Sequence, residues 1–206
     1  MRKITLFVVF ALLIFCGSVS AQGKSGFGYR ADPFAADEAR IKKVLMDLFP
    51  DDPEAAGIEI KIVDKLNGSN FPNLTADINC RCAISMTKSM LKRMRGRTDV
   101  ALAFAHEFGH IKLHHVSART IVGGSLEVWD YDLLERQEIS ADYFAARALE
   151  RSGADACPTL LPRLVKEFGI DKVDDPRNAV IMKRVALQKV YCFNKGKIRL
   201  LDPFGK

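Results

Sequence analysis

The pentapeptide His106-Glu107-Phe108-Gly109-His110 constrains this chain more than any other feature, because His-Glu-x-x-His is a spacing that a helix turns into a metal-binding face. At about 3.6 residues per turn, positions four apart lie about 40° apart on one side, so His106 and His110 can reach a single ion. Glu107 flanks that side, placed to act on a water beside a metal rather than to hold the metal. The preceding residues agree. Thr98 reads as an N-cap, Asp99 as an acid in the first turn, and the run to Ala105 as good helix-forming sequence. The competing reading of the same residues is an ordinary amphipathic helix whose histidines fall there by chance.

A catalytic zinc usually takes three protein ligands and one water, so a third ligand has to come from elsewhere. The metzincin pattern would place glycine at 113 and a third histidine at 116. The chain has Leu113 and Val116, which excludes it. Further on, Glu138 and Asp142 lie four apart in a second helical pattern. Glu138 is expected to complete the metal shell, and Asp142 to accept the second N–H of a ligating histidine, His106 for preference. A solvated face with Arg136 and Arg147 is the alternative for these acids, but Ala141 and Ala145 beside them predict close helix packing.

HEFGH at 106–110 followed by EISAD at 138–142 resembles the gluzincin metallopeptidases of the HtpX and CAAX-prenyl-protease type, which carry His-Glu-x-x-His on one helix and Glu-x-x-Ala-Asp on a later one. The likeness extends over roughly residues 78 to 190. AISMTKSMLKRMRGRTDVALAFAHEFGH is similar to that family's edge strand, short helix and active-site helix, and ADYFAARALERSGADACPTLLPRL to its ligand helix, glycine stop and next helix. The resemblance implies a zincin-like fold and a zinc-dependent endopeptidase acting on a protein or peptide. It also implies an edge strand, Cys82 to Met86, that binds extended substrate by strand addition. Unlike many members of that family, the chain has no apolar run of about 20 residues beyond its N-terminus. The short connection from His110 to Glu138 is also similar to ImmA/IrrE-type regulatory metallopeptidases. Those tend to read Glu-x-x-Ala-Asn, where this chain has Asp142.

Residues 1–21 read as an export signal: Arg2 and Lys3 are the positive start, Ile4 to Phe15 the apolar core, and Val19-Ser20-Ala21 the cleavage site. The apolar core is short for a membrane anchor, and Phe15 before Cys16 argues against lipoprotein processing. The expected product is a single domain, 22–206, periplasmic or secreted and not an integral membrane protein. It keeps Cys80, Cys82, Cys157 and Cys192, and an even count in an exported chain favours disulfides over free thiols or a second metal site. Cys80 and Cys82 are close in sequence, so each is expected to meet Cys157 or Cys192.

Charge excludes one class of partner. Of 31 basic residues, Arg2 and Lys3 leave with the signal, and the 29 remaining face 25 acidic ones. The densest cluster is Lys88, Lys92, Arg93, Arg95 and Arg97. It has no interleaved aromatic residue, so a solvated helix face is expected there and no nucleic acid.

Periodicity predicts an α+β fold, mostly helical, with a small mixed sheet beside the active-site helix. A helix starts at Asp32-Pro33 and runs to about Phe49. A strand comes next over Ile58 to Asp64, then a loop over Lys65 to Asn73, a strand over Ile78 to Met86 and a short helix from Lys88 to Arg95. After the active-site helix, a loop from Val116 to Trp129, hinged at Gly123-Gly124, is expected to pack over the core, with a lid or partner surface as the alternative. A helix from Asp130 to Arg151 and two more, near 158–168 and 176–191, complete the chain.

Chemistry on this frame assigns Glu107 as general base, passing the proton to the leaving amine. Tyr131, Tyr143, His115 and Arg184 are the candidate donors to the developing oxyanion. His114 and His115 are expected to be polar residues favourable to a helix C-terminus. A different class of function keeps the metal and covers the cleft, making the domain a chaperone-like or partner-binding module. The presence of Glu107 favours the enzyme, because a purely structural site has no use for a base.

Overall fold

Helix α4 (Arg97–Lys112) is apolar around nearly its whole circumference, burying Val100, Leu102, Phe104, Phe108 and Ile111 along with four small residues. A helix of that kind has to lie at the centre of a domain. The computed structural model describes residues 34–66, 68, 73–94, 96–157 and 176–194, and all of them fall within one compact unit. Residues 1–21, read as the export signal, and the helix expected near 158–168 lie outside the described residues.

Around α4 are packed α1 (Ala35–Leu48), a three-stranded sheet and α5 (Tyr131–Arg151). The architecture is mixed α and β, mostly helical, as expected. α1 presents Ile41, Val44 and Leu45 to the core, and its Glu38 side chain accepts from the Ile62 N–H at 2.7 Å, tying helix to sheet. The short α2 (Pro53–Gly57) is capped by Asp52, and Lys112 at the end of α4 pairs with Asp52 at 3.0 Å and Glu54 at 2.6 Å.

The sheet corrects one expectation. Its order is β1 (Glu59–Val63), β3 (Ala83–Thr87), β2 (Leu74–Ala76), with β1 parallel and β2 antiparallel to β3. The strand expected over Ile78–Met86 is therefore shorter, and it is central rather than an edge, with both sides already paired. Asp77 is the physical reason for the late start. Its side chain accepts from Asn79 and Cys80 N–H, folding 78–80 into a turn before β3 begins. The outer strands are β1 and β2, and β2, which lies within the stretch preceding the expected strand, packs against α4.

α4 begins at Arg97 after extended Gly96, earlier than a Thr98 cap would allow, and Arg97 pairs with Asp47 of α1. α3 (Lys88–Arg93) is capped by Thr87, and α5 starts on Asp130, whose side chain accepts from Leu133 N–H at 2.8 Å. α4 and α5 approach closely where Gly109 faces Ala141. A Cβ at 109 would stand 3.1 Å from the Phe144 ring and 3.3 Å from Ala141 Cα.

Two further expectations are overturned. The segment 116–129 does not pack over the core. It forms a hairpin, β4 (Arg119–Val122) and β5 (Leu126–Trp129), turned by Gly123 and Gly124 at φ 62° and 81°. Both glycines occupy the left-handed region that other residues resist. Cross-strand register and alternation put Thr120, Val122, Leu126 and Val128 on one face, and all are exposed, Leu126 by 62%.

The disulfides pair Cys80 with Cys82 and Cys157 with Cys192, not across the two groups. Arg81 at φ 54° turns the backbone so that its neighbours' side chains meet despite their short separation. Cys157–Cys192 fastens α6 (Pro176–Asn194) to the chain just beyond α5. Among the described residues no helix is long and apolar enough to cross a membrane.

Candidate metal centre

All four histidines of the chain lie between 106 and 115. α4 brings the first two together, with His106 Nε2 and His110 Nε2 3.1 Å apart. α5 crosses the same end of α4, made possible by the Gly109–Ala141 contact, and sets Glu138 opposite them. Its Oε2 is 3.3 Å from His106 Nε2 and its Oε1 3.5 Å from His110 Nε2.

These separations test whether a metal fits. Ligands at about 2.0–2.1 Å from a tetrahedral zinc stand about 3.3–3.4 Å from one another. The observed edges, 3.1, 3.3 and 3.5 Å, bracket that value. Two imidazoles and one carboxylate also form a donor set suited to zinc, with a coordination position left over. The residues fit a single divalent ion.

Behind this triangle is a ring of charged groups. Asp142, one turn after Glu138, lies 2.8 Å from His106 Nδ1, close in distance but without hydrogen-bond alignment at the ring nitrogen. Arg184 of α6 holds both acids. Its Nε and Nη2 donate to Asp142 at 2.8 and 2.9 Å, and Nη1 pairs with Glu138 at 2.6 Å. This fork fixes two carboxylates with one planar group.

Protonation states are set by these neighbours. Burial disfavours charge on His106, but Asp142 and Glu138 outweigh it and raise the imidazole to about 10. Burial pushes His110 down to about 3, with the neighbouring His106 adding to the shift. Burial would also raise Glu138 and Asp142, yet Arg184 and His106 hold both below the usual carboxylate range. Burial lifts the Glu107 carboxyl to about 7, against opposition from His106 and reinforced by Glu138. Glu107 is thus poised near neutrality, and its Oε2 accepts from Ala76 N–H of edge strand β2 at 2.7 Å.

The metal-free site therefore carries Glu138, Asp142, Arg184 and a protonated His106. One divalent cation can replace the protons on His106 and Glu107 with no change in net charge.

The expected ligands, base and helper acid all meet here: His106, His110, Glu138, Glu107 and Asp142. The candidate oxyanion donors fare differently. Arg184 is engaged by the two acids, Tyr143 is packed against the core, and Tyr131 stacks on Trp129.

His115 departs furthest from expectation. Rather than a polar residue dressing a helix end, it is 8% exposed, with Nδ1 2.8 Å from His110 Nδ1 and Nε2 3.0 Å from Ser140 Oγ. The end of α4 delivers it. His114 N–H bonds Ile111 C=O and His115 N–H bonds His110 C=O, with His114 left-handed at φ 55°, a Schellman ending. In such an ending the last residue folds back over the one five before it, a spacing that was visible in the sequence. Ser140 and Ala76 had no comparable signal.

Comparison of the chain with protein-family models, with curated proteins and with solved structures finds no match.

Proposed function

We propose that the protein is a zinc-dependent endopeptidase of zincin-like fold, similar to the HtpX and CAAX-prenyl-protease type, that hydrolyses peptide bonds of exported or misfolded proteins. The single observation that carries this reading is the triangle of His106, His110 and Glu138, whose edges match tetrahedral zinc while a carboxyl poised near pH 7 stands beside them.

Zinc bound there supplies Lewis-acid polarisation of the scissile carbonyl and makes water more acidic. The chain's own residues do the rest. Glu107, tuned to about 7, takes the proton from the attacking water and returns it to the leaving nitrogen. Ala76 N–H holds one oxygen of that carboxyl at 2.7 Å. Asp142 and Arg184 hold His106 and Glu138 in place. Of the two outer strands, β2 adjoins Glu107 and is the edge proposed to take an extended substrate. Two disulfides are compatible with an oxidising compartment and so with export.

A chaperone-like or partner-binding module is the second reading. The exposed apolar face of the hairpin β4–β5, which connects the two helices that carry the metal ligands, favours it. Degradation of casein separates the two. Under the peptidase reading, zinc-loaded wild type cleaves casein and Glu107→Gln, with zinc still bound, loses at least about 100-fold. Zinc-loaded wild type that leaves casein intact while suppressing aggregation of an unfolded protein supports the second reading.

A further inference from the structure

His115 is a buried imidazole with both ring nitrogens engaged, and no step of peptide hydrolysis uses it. Its contacts form a chain with a determinate direction. Ser140 Oγ donates to the Gln137 carbonyl at 2.9 Å, and that bond uses its single hydroxyl hydrogen. Ser140 must then accept from His115, placing a hydrogen on His115 Nε2. In a neutral ring, the state burial favours, His115 Nδ1 is an acceptor. His110 Nδ1, 2.8 Å away, must donate to it. His110 then carries its hydrogen on Nδ1, and its Nε2 lone pair faces His106 Nε2 and Glu138.

We infer that His115, oriented by Ser140, is the positioning residue that locks His110 in the Nδ1–H tautomer and so presents Nε2 to the metal. The inference rests on the metal-centre reading for its purpose but not for its geometry. Each of the two histidine ligands then has its own outer partner: an acid, Asp142, for His106 and a neutral ring for His110. The arrangement adds no further negative charge to a site whose two ionised acids are already held by one guanidinium. The fold maintains it at a cost, since His114 is held in the left-handed region to bring His115 back over the helix end.

Long-range 1H–15N correlation on the metal-free protein reads the tautomer directly, and chelator competition reads zinc affinity. Wild type is expected to show protonated Nδ1 and unprotonated Nε2 at His110. His115→Phe removes the acceptor and should shift His110 towards Nε2–H and weaken zinc by about 10–100-fold. His115→Gln, whose amide oxygen can accept from His110, should recover most of both signals. A merely structural role predicts no such tautomer change and no rescue.

Should His115→Phe not fold, Ser140→Ala tests the same chain from its far end in a helix that tolerates alanine, and should move tautomer and affinity in the same direction. Wild-type His110 protonated on Nε2, or zinc affinity and tautomer unchanged in both His115→Phe and Ser140→Ala, overturns the inference. The metal-free nitrogen shifts decide it even if wild type binds no zinc, an outcome that would instead remove the metal-centre reading.

Discussion

Arg184 and Glu138 are joined by a 2.6 Å ion pair in which the guanidinium stands behind the carboxylate that faces the two histidines. The same group grips Asp142 through two further nitrogens, so a residue from the distant helix α6 sets the geometry of both acids. Arg184→Lys keeps the charge and loses the fork. We expect a stability loss of about 1–3 kcal/mol in denaturant unfolding. Zinc affinity should fall with it, because Glu138 is no longer held. An unchanged zinc affinity would show that the fork does not position the ligand.

Protons and metal compete for this site, with opposite consequences for pH. In the metal-free protein His106 titrates at about 10 against about 6.5 unfolded, so its stabilising contribution is complete below about 6.5 and disappears as pH rises through 10. Glu107 at about 7, against about 4.5, also costs stability as pH rises through that interval. His110, held at about 3 against about 6.5, gains stability as pH rises between those values and offsets Glu107 there, so metal-free stability should decline from about pH 6.5 upward, whereas zinc affinity should increase over the same range. Calorimetry in buffers of different ionisation enthalpy should find about two protons released per zinc near pH 6 and fewer near pH 8. Binding without proton release would contradict this balance.

Gly109→Ala tests the helix contact that lets α5 reach the histidines. The new Cβ meets the Phe144 ring at 3.1 Å and Ala141 Cα at 3.3 Å, so α5 or Phe144 must yield by a few tenths of an ångström. Helix propensity returns about 1 kcal/mol against an overpacking cost of about 1–3 kcal/mol. The net loss of about 0–2 kcal/mol should lower the melting temperature by at most about 8 °C, while zinc affinity drops several-fold as Glu138 moves away from the histidines.

The two disulfides are unequal. Cys157–Cys192 closes a separation of 35 residues and fastens the helix that carries Arg184, and chain entropy gives it about 3–4 kcal/mol. Cys80–Cys82 closes a separation of 2 and is worth less than half of that. The double variant Cys157→Ala/Cys192→Ala should account for most of the stability lost on full reduction, measured by urea unfolding, and Cys80→Ala/Cys82→Ala for the smaller part.

Legibility in the sequence tracked the range of the interactions. His106, Glu107 and His110 were readable because a single helix fixes their relation, and Glu138 and Asp142 because the same spacing recurs on α5 with Ala141 beside them. Where tertiary pairing decides, residues alone misled. The strand over Ile78–Met86 has the right composition, but its rank within the sheet depends on β1 and β2. The Cys80–Cys82 bridge depends on one left-handed residue, Arg81, for which arginine gives no signal. Arg184 and Ser140 are polar residues on helices, and only the meeting of three helices gives them a role. The hairpin's apolar residues suit core cover, yet a two-stranded ribbon exposes both faces unless another element packs on one.

Whether His106, His110 and Glu138 form a zinc site is decided by zinc titration of the purified protein against a competing chelator, with metal content read by atomic emission and wild type set beside His110→Ala and Glu138→Ala. One tightly bound zinc per chain is expected in wild type, with a loss of at least about 100-fold in affinity in each variant. Wild type without zinc, or either variant retaining wild-type affinity, would contradict the assignment.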